Sequence, residues 1–366
     1  MWAEIICGLL IYKFVRRFFK DDEISDETSS DSTALFSVAH RLEKLYGGKA
    51  YVGLRIPDAD TSSRQDIDLV LLTKGQVVVI GVKTLSGIVT VASDGSWVCE
   101  AGKHHTTQTY PDPLVEVKKQ ASVLESYLEQ RGVTLLEENL SCKVVIPNPN
   151  FRYVLFIFAT FSIYMFSDPY EVCGRVTILP PKYNILWFSS DAKTCVYFST
   201  MHAFPSEVIT YEEWKHLKPV SRKTLSGWVK GALWTGKEMQ ESSHQKLNFI
   251  LGTAPMWDRV ELKSSKIVLG EFLEFKGKQE DTLALKQIKR SKVDRISIQQ
   301  TSMLGFAPSR LQVRYSYRDY RSEGRSGSES KEVTVRSSTE VLFQPRDSTK
   351  IKKFKLSSLL SISPSA

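Results

Sequence analysis

The sequence predicts a mixed α/β domain, a sheet flanked by helices, followed by a smaller β-rich domain. Three observations predict it. Between Leu35 and Ile146, short β-branched runs alternate with two stretches whose apolar residues recur at helical spacing. Turn residues punctuate those runs at Gly47-Gly48, Asp94-Gly95 and Asp112-Pro113. From Leu247 onward the apolar runs have strand length, interrupted by one helical stretch at residues 280–290. With 366 residues and 42% hydrophobic content, the chain is long enough for two domains with cores of their own.

In chain order, Ser32 or Thr33 caps a helix that runs to about Tyr46 and stops at Gly47-Gly48. Leu35, Val38, Leu42 and Leu45 form its apolar stripe. Glu43 lies at the flank of that stripe, where a glutamate either solvates a surface or reaches into a site. Residues 51–56 read as a strand and 57–65 as a loop. Two further strands, 67–72 and 77–83, are joined by Thr-Lys-Gly-Gln, and Gly75 in that loop suits a hairpin. Residues 88–92 and 96–100 flank the Asp94-Gly95 turn. Lys103-His104-His105 reads as a polar loop, because adjacent histidines without a spaced acid or cysteine make poor metal ligands. Asp112 as N-cap and Pro113 at the first position open a second helix. Leu114, Val117, Ala121, Leu124 and Leu128 line one of its faces up to Gly132, and residues 142–146 form a buried-type strand closed by Pro147.

The hairpin holds the chemistry. If Leu72 faces Val77 across the loop, Asp68 falls opposite Gly81. Period-2 alternation then puts Asp68, Gly81 and Lys83 on one face, with opposed Cβ atoms about 4.5–5.5 Å apart. Nucleases of the (D/E)-x-K type use such a face. Two carboxylates hold a hard cation such as Mg²⁺ through oxygen, while the lysine polarises the attacking water or the phosphate. Here Ile80-Gly81-Val82-Lys83 stands where Ile-Glu-Val-Lys is expected, so one carboxylate is missing. The plainer reading is an edge-strand charge at Asp68 and a strand end at Lys83.

The stretch from about Leu35 to Ile146 resembles the NERD domain, a nuclease-related domain of the restriction-endonuclease-like superfamily. The residues that carry the likeness are Gly-Lys-Ala-Tyr-Val at 48–52, Asp66-Ile67-Asp68, Val-Ile-x-Val-Lys ending at Lys83, and Gly87. Trp97 after its Asp-Gly turn and Asp112-Pro113 with Gln120 complete the series. The resemblance implies a restriction-endonuclease-like mixed sheet and a plant-type protein. It makes Asp68 a metal ligand, Lys83 the catalytic lysine and Gln120 the helix-motif residue, with Gly81 in place of the family glutamate. Asp66 points to the same face as Asp68, about 6.6–6.8 Å along the strand, and could partly substitute as a ligand.

The remaining chain divides by composition. Residues 1–20 are hydrophobic and basic, with Trp2 through Tyr12 followed by Lys13, Arg16 and Arg17. They are too short for a span of about 20 apolar residues and suit an interfacial anchor or a targeting segment. Residues 21–32 read as an acidic linker and 33–147 as the nuclease-related domain. Residues 148–204 read as a hydrophobic insertion, including an uncharged run of 14 residues from Tyr153 to Phe166. Residues 205–245 form a connector with Trp214, Trp228 and Trp234, and 246–366 a basic β-rich domain, barrel or sandwich. Residues 245–366 carry 23 Lys and Arg against 13 Asp and Glu, so the +8 net charge of the chain resides there. Arg314, Tyr315 and Arg318 in that domain form an aromatic-basic mix suited to nucleic acid. The same alternation suits a strand with one buried aromatic face. Five widely spaced cysteines without CxxC or Cys/His spacing imply a reducing compartment and no structural zinc.

Together these features predict a nuclease-related protein with a degraded metal site. The expectation is a non-enzyme, intracellular and membrane-associated through residues 1–20 with its bulk on the cytosolic side, or organelle-targeted, serving in binding or DNA/RNA processing complexes. One alternative is an Mg²⁺-dependent endonuclease in which Asp66, Asp68 and Glu43 hold the metal beside Lys83. A second is a nucleic-acid-binding module built on the C-terminal domain.

Overall fold

The structure, a computed structural model, describes residues 26–58, 61, 63–92, 94–101, 106–153, 186–187, 196–197, 205–217, 239–289, 292–300, 310–317 and 330–365. The proposed anchor at 1–20, His104 and His105, most of the 148–204 segment, Trp228, Trp234 and Arg318 lie outside them. In chain order the first elements are α1 (Asp26–Tyr46), β1 (Lys49–Pro57), β2 (Arg64–Leu72), β3 (Val77–Val82), β4 (Gly87–Val91), β5 (Trp97–Ala101) and β6 (Thr106–Tyr110). Then follow α2 (Pro113–Glu129), β7 (Leu140–Val145), β8 (Phe151–Tyr153), the short pair β9 (Leu186–Trp187) and β10 (Val196–Tyr197), β11 (Val208–Ile209) and α3 (Tyr211–His216). The C-terminal part comprises α4 (Glu241–Gly252), β12 (Asp258–Leu262), β13 (Ile267–Lys276), α5 (Gln279–Leu285), β14 (Val293–Gln300), β15 (Arg310–Tyr317), β16 (Ser330–Arg336), β17 (Glu340–Pro345), β18 (Lys352–Lys355) and β19 (Leu359–Ser363).

These elements fall into two compact units. The first takes its residues from Met1–Lys74, Val123–Thr134 and Met239–Ala366, the second from Gly75–Ser122 and Leu135–Glu238. In the first, β1 and β2 pair antiparallel with Leu54 opposite Ile67 and Arg55 opposite Asp66. Gly47 adopts φ +65° and donates its N–H to the Glu43 carbonyl, ending α1 with a left-handed residue that glycine tolerates. An eight-stranded antiparallel sheet, ordered β16-β15-β14-β19-β12-β13-β17-β18, completes this unit. One face of every strand feeds a single cluster that includes Val260, Phe272, Ile296, Val313, Tyr315, Val335, Val341, Phe354 and Ile362. The β-rich region expected for 246–366 forms one sheet among the described residues, and it contains two strands, β12 and β19, that pattern reading does not find.

The C-terminal sheet is joined to the N-terminal elements of its own unit. Thr33 Oγ1 accepts the Ile267 N–H at 3.0 Å, and Ser32 Oγ lies 3.4 Å from the Leu269 N–H. The hydroxyls expected to cap a helix start therefore serve β13, and α1 begins at Asp26, inside the expected linker. The Arg55 N–H donates to the Pro255 carbonyl and the Trp257 N–H to that of Gly53.

In the second unit, β3, β7 and β11 form parallel pairs, with Gly81 opposite Val144 and Val208 also opposite Val144. The same unit contains a four-stranded mixed sheet, ordered β6-β5-β4-β8, with β4 and β8 parallel and the other pairs antiparallel. Asp112 Oδ1 accepts the Leu114 N–H at 2.9 Å and caps α2 at the expected place. Thr210 and Glu213 form a capping box that starts α3, and Trp214 beneath it is buried. Residues 205–217, the start of the Trp-containing connector, thus place β11 beside β7 among the parallel strands of this unit.

Candidate functional site

Asp66 and Asp68 sit two residues apart on β2, so their side chains leave the same face. Both point to one cation, the guanidinium of Arg346. Its Nη2 lies 2.8 Å from Asp68 Oδ1, and its Nε lies 3.8 Å from Asp66 Oδ2. The Asp68 side chain is 12% exposed and that of Arg346 20%, so this pair is largely removed from water. Arg346 follows the last rung of the β13–β17 ladder, Gly270 opposite Pro345, and its N–H donates to the Leu269 carbonyl at 2.9 Å. Burial alone would lower the Arg346 pKa, but Asp68 and Asp66 outweigh it and hold the guanidinium charged. Burial raises the Asp66 pKa above its ordinary value, against the pull of Arg346 and Arg55. The Arg55 guanidinium carbon lies 3.8 Å from the Trp257 ring centroid, and its nitrogens lie 4.0 Å from Asp66 and 3.9 Å from Glu271.

Gly81 and Lys83 belong to the second unit and have neighbours of their own. A Cβ built on Gly81 would lie 2.5 Å from Cγ2 of Val117, a separation real side chains do not show. Val117 is fully buried on α2 and stiff at χ1, so it cannot swing aside cheaply. The position where a catalytic glutamate is expected is therefore occupied by Val117 of α2. Lys83 donates its Nζ to Glu116 Oε2 at 2.7 Å. Gln120, one turn further along α2, reaches Glu116 Oε1 at 3.4 Å through Nε2, while its own Oε1 is buried with no hydrogen-bond partner among the described residues.

The other expected site residues are placed as follows. Glu43 accepts the Ala50 N–H at 2.8 Å and so bridges the turn between α1 and β1. Tyr315 is 2% exposed and packs edge-on against Tyr317, which leaves no ring face for a base to stack on. Nucleotide stacking by Tyr315 is thereby corrected to a core role. Arg314 pairs with Glu332, its cross-strand partner on β16. Arg336 likewise pairs with Glu280 of α5 at 2.7 Å and Arg295 with Glu261 of β12 at 3.5 Å, so part of the basic surplus is matched within this region.

Sequence reasoning missed three residues. Glu116 had a usable signal, since it lies four residues before Gln120 and shares its helix face. Arg346 had none, because an ion pair between β2 and the end of β17 exists only in the folded chain. Lys143, on β7, is buried and donates to the Ser206 carbonyl at 3.0 Å. Burial lowers its pKa, and Glu207 partly opposes that shift. It neighbours Val144, the partner of Gly81, and by alternation projects from the opposite face.

Residues 31–156 match NERD, the nuclease-related domain. No curated protein and no solved structure matched the chain. The nuclease-related segment runs from within α1 to just past β8 and leaves the C-terminal sheet outside. The mixed α/β architecture with a separate β-rich region is consistent with a nuclease-like fold.

Nuclease-related chemistry implies a divalent cation held by carboxylate oxygens. The residues present do not fit that ion. Asp68 and Asp66 already face a guanidinium, the Gly81 position has no room for a ligand, and the Glu116 carboxylate is engaged by Lys83. Among the described residues, no group of three or more His, Cys, Asp or Glu side chains is arranged to hold a metal.

Proposed function

We propose that this is a nuclease-related protein that does not cleave phosphodiesters and acts by binding. The observation that carries the reading is the 2.5 Å approach of Val117 Cγ2 to the Cβ direction of Gly81. A lost carboxylate alone could be restored by one substitution, whereas a position closed by a stiff buried valine cannot accept one. The pairing of Lys83 with Glu116 adds support, because a lysine that polarises water or phosphate must be free to leave its carboxylate.

In this proposal the nuclease-related segment serves as a scaffold in a binding or DNA/RNA processing complex. Residues 1–20 hold it to a membrane surface through their apolar run and Lys13, Arg16 and Arg17. Among the described residues no helix is long and apolar enough to cross a membrane. The test is a cleavage assay with Mg²⁺ and Mn²⁺ on single- and double-stranded DNA and RNA, beside Lys83→Ala. The expected result is no turnover above that variant. Metal-dependent cleavage that both Lys83→Ala and Asp68→Ala abolish would overturn the proposal in favour of an Mg²⁺ endonuclease.

A further inference from the structure

We propose that the pocket between α5 and β16 binds a small organic phosphate monoester, and that Glu280 is the side chain its phosphate displaces. This site goes beyond the proposed loss of cleavage and does not rest on it, since every residue of the pocket lies outside residues 31–156. Lys278, Gln279, Glu280, Leu283 and Arg336 line about 300 Å³, the lower end of the volumes that hold small ligands.

The walls favour an anion. Lys278 and Arg336 bring two positive charges and Glu280 one negative charge. Among the described residues no acid pairs with the Lys278 ammonium. Glu280 holds Arg336 weakly. Its Oε2 lies 2.7 Å from Nη2, but its side chain is 79% exposed, so water screens the pair. The contact is also one-pronged, because Arg336 Nη1 is shut off from water and has no hydrogen-bond partner among the described residues. A guanidinium binds best when two parallel N–H groups each meet an oxygen, and a buried donor left without an acceptor is costly. Glu280 therefore stands in the place of a better anion without satisfying the fork.

A phosphate monoester is that anion. It carries three terminal oxygens, two for the fork of Arg336 once Glu280 swings into solvent and one for Lys278 Nζ. A carboxylate has only two and repeats what Glu280 already offers. Leu283, 56% exposed, gives the organic part of the ligand an apolar wall.

The test is isothermal titration calorimetry of the full chain at low salt with phenyl phosphate, inorganic phosphate and benzoate. Phenyl phosphate is expected to bind at a single site, more tightly than either of the others. Arg336→Gln and Lys278→Gln should each weaken it about tenfold, the loss of one charge-assisted hydrogen bond. Glu280→Gln should tighten it about threefold, because a screened competitor is gone. Leu283→Ser should weaken phenyl phosphate and leave inorganic phosphate unchanged. Lys278 and Glu280 are exposed, so their variants carry the test if Arg336→Gln does not fold. No binding by wild type and Glu280→Gln would overturn the proposal. So would benzoate or inorganic phosphate bound as tightly as phenyl phosphate, unchanged affinity in Lys278→Gln, or a Glu280→Gln variant no tighter than wild type. Cleavage by wild type would sink the earlier reading without deciding this one, because the readout here is occupancy of a different pocket.

Discussion

Asp68 and Lys83 are both engaged in ion pairs of nearly equal length, 2.8 Å to Arg346 and 2.7 Å to Glu116, yet the two pairs differ in kind. Asp68 and Arg346 are 12% and 20% exposed at their side chains, while Lys83 and Glu116 are 28% and 37% exposed. Water screens the second pair, so either partner can be removed at little cost. In the first pair the charges have given up much of their hydration, and each depends on the other. Distance alone says little about an ion pair; how far it lies from solvent decides its worth.

The comparison can be broken by substitution. The largest effect is expected from Asp68→Ala, which strands a largely buried guanidinium and should cost about 3–5 kcal/mol in urea unfolding. A loss under about 1 kcal/mol would mean that Arg346 finds water instead. Gly81→Ala comes next, at about 1–3 kcal/mol, because the new methyl overpacks against Val117. Combining it with Val117→Ala should cost less than the two single losses added, as expected for groups in contact.

Asp66→Asn should be smaller and depend on pH. Burial raises the folded-state pKa of Asp66 above 3.8, so its favourable contribution is complete below that value and disappears as pH rises through the raised one. The asparagine variant should therefore gain on wild type between acid and neutral pH, and an advantage that shrinks over that range would reverse the assignment. Lys83→Ala should be smallest, within about 1 kcal/mol, since its pair is partly solvated.

Much of this fold is legible from local pattern. Asp112 and Pro113 announce α2, and the alternation of Leu311, Val313 and Tyr315 marks one face of β15 as buried. The strands that escaped notice break the pattern for a physical reason. β12 begins with Asp258, fully buried, whose carboxylate accepts the Phe272 N–H at 2.7 Å and the Ser365 N–H at 2.5 Å. A charge at an inward position looks like a loop until its partners are known. The acidic, serine-rich start of α1 misleads similarly, because Ser32 and Thr33 find their hydrogen bonds on β13. At the candidate site, the gap at Gly81 is readable from residue identity. What fills it, and what neutralises Asp68, depends on contacts between residues far apart in the chain.

The junction between α1 and β13 has a consequence for how this protein can be divided. The family match covers residues 31–156, but the hydroxyls of Ser32 and Thr33 and the carboxylate of Asp68 each find a partner beyond residue 260. A fragment trimmed to the matched boundaries would lose the β13 amides that Ser32 and Thr33 serve and the guanidinium that faces Asp68. The matched stretch and the unit whose residues pack together therefore have different borders, and only the longer chain can hold both.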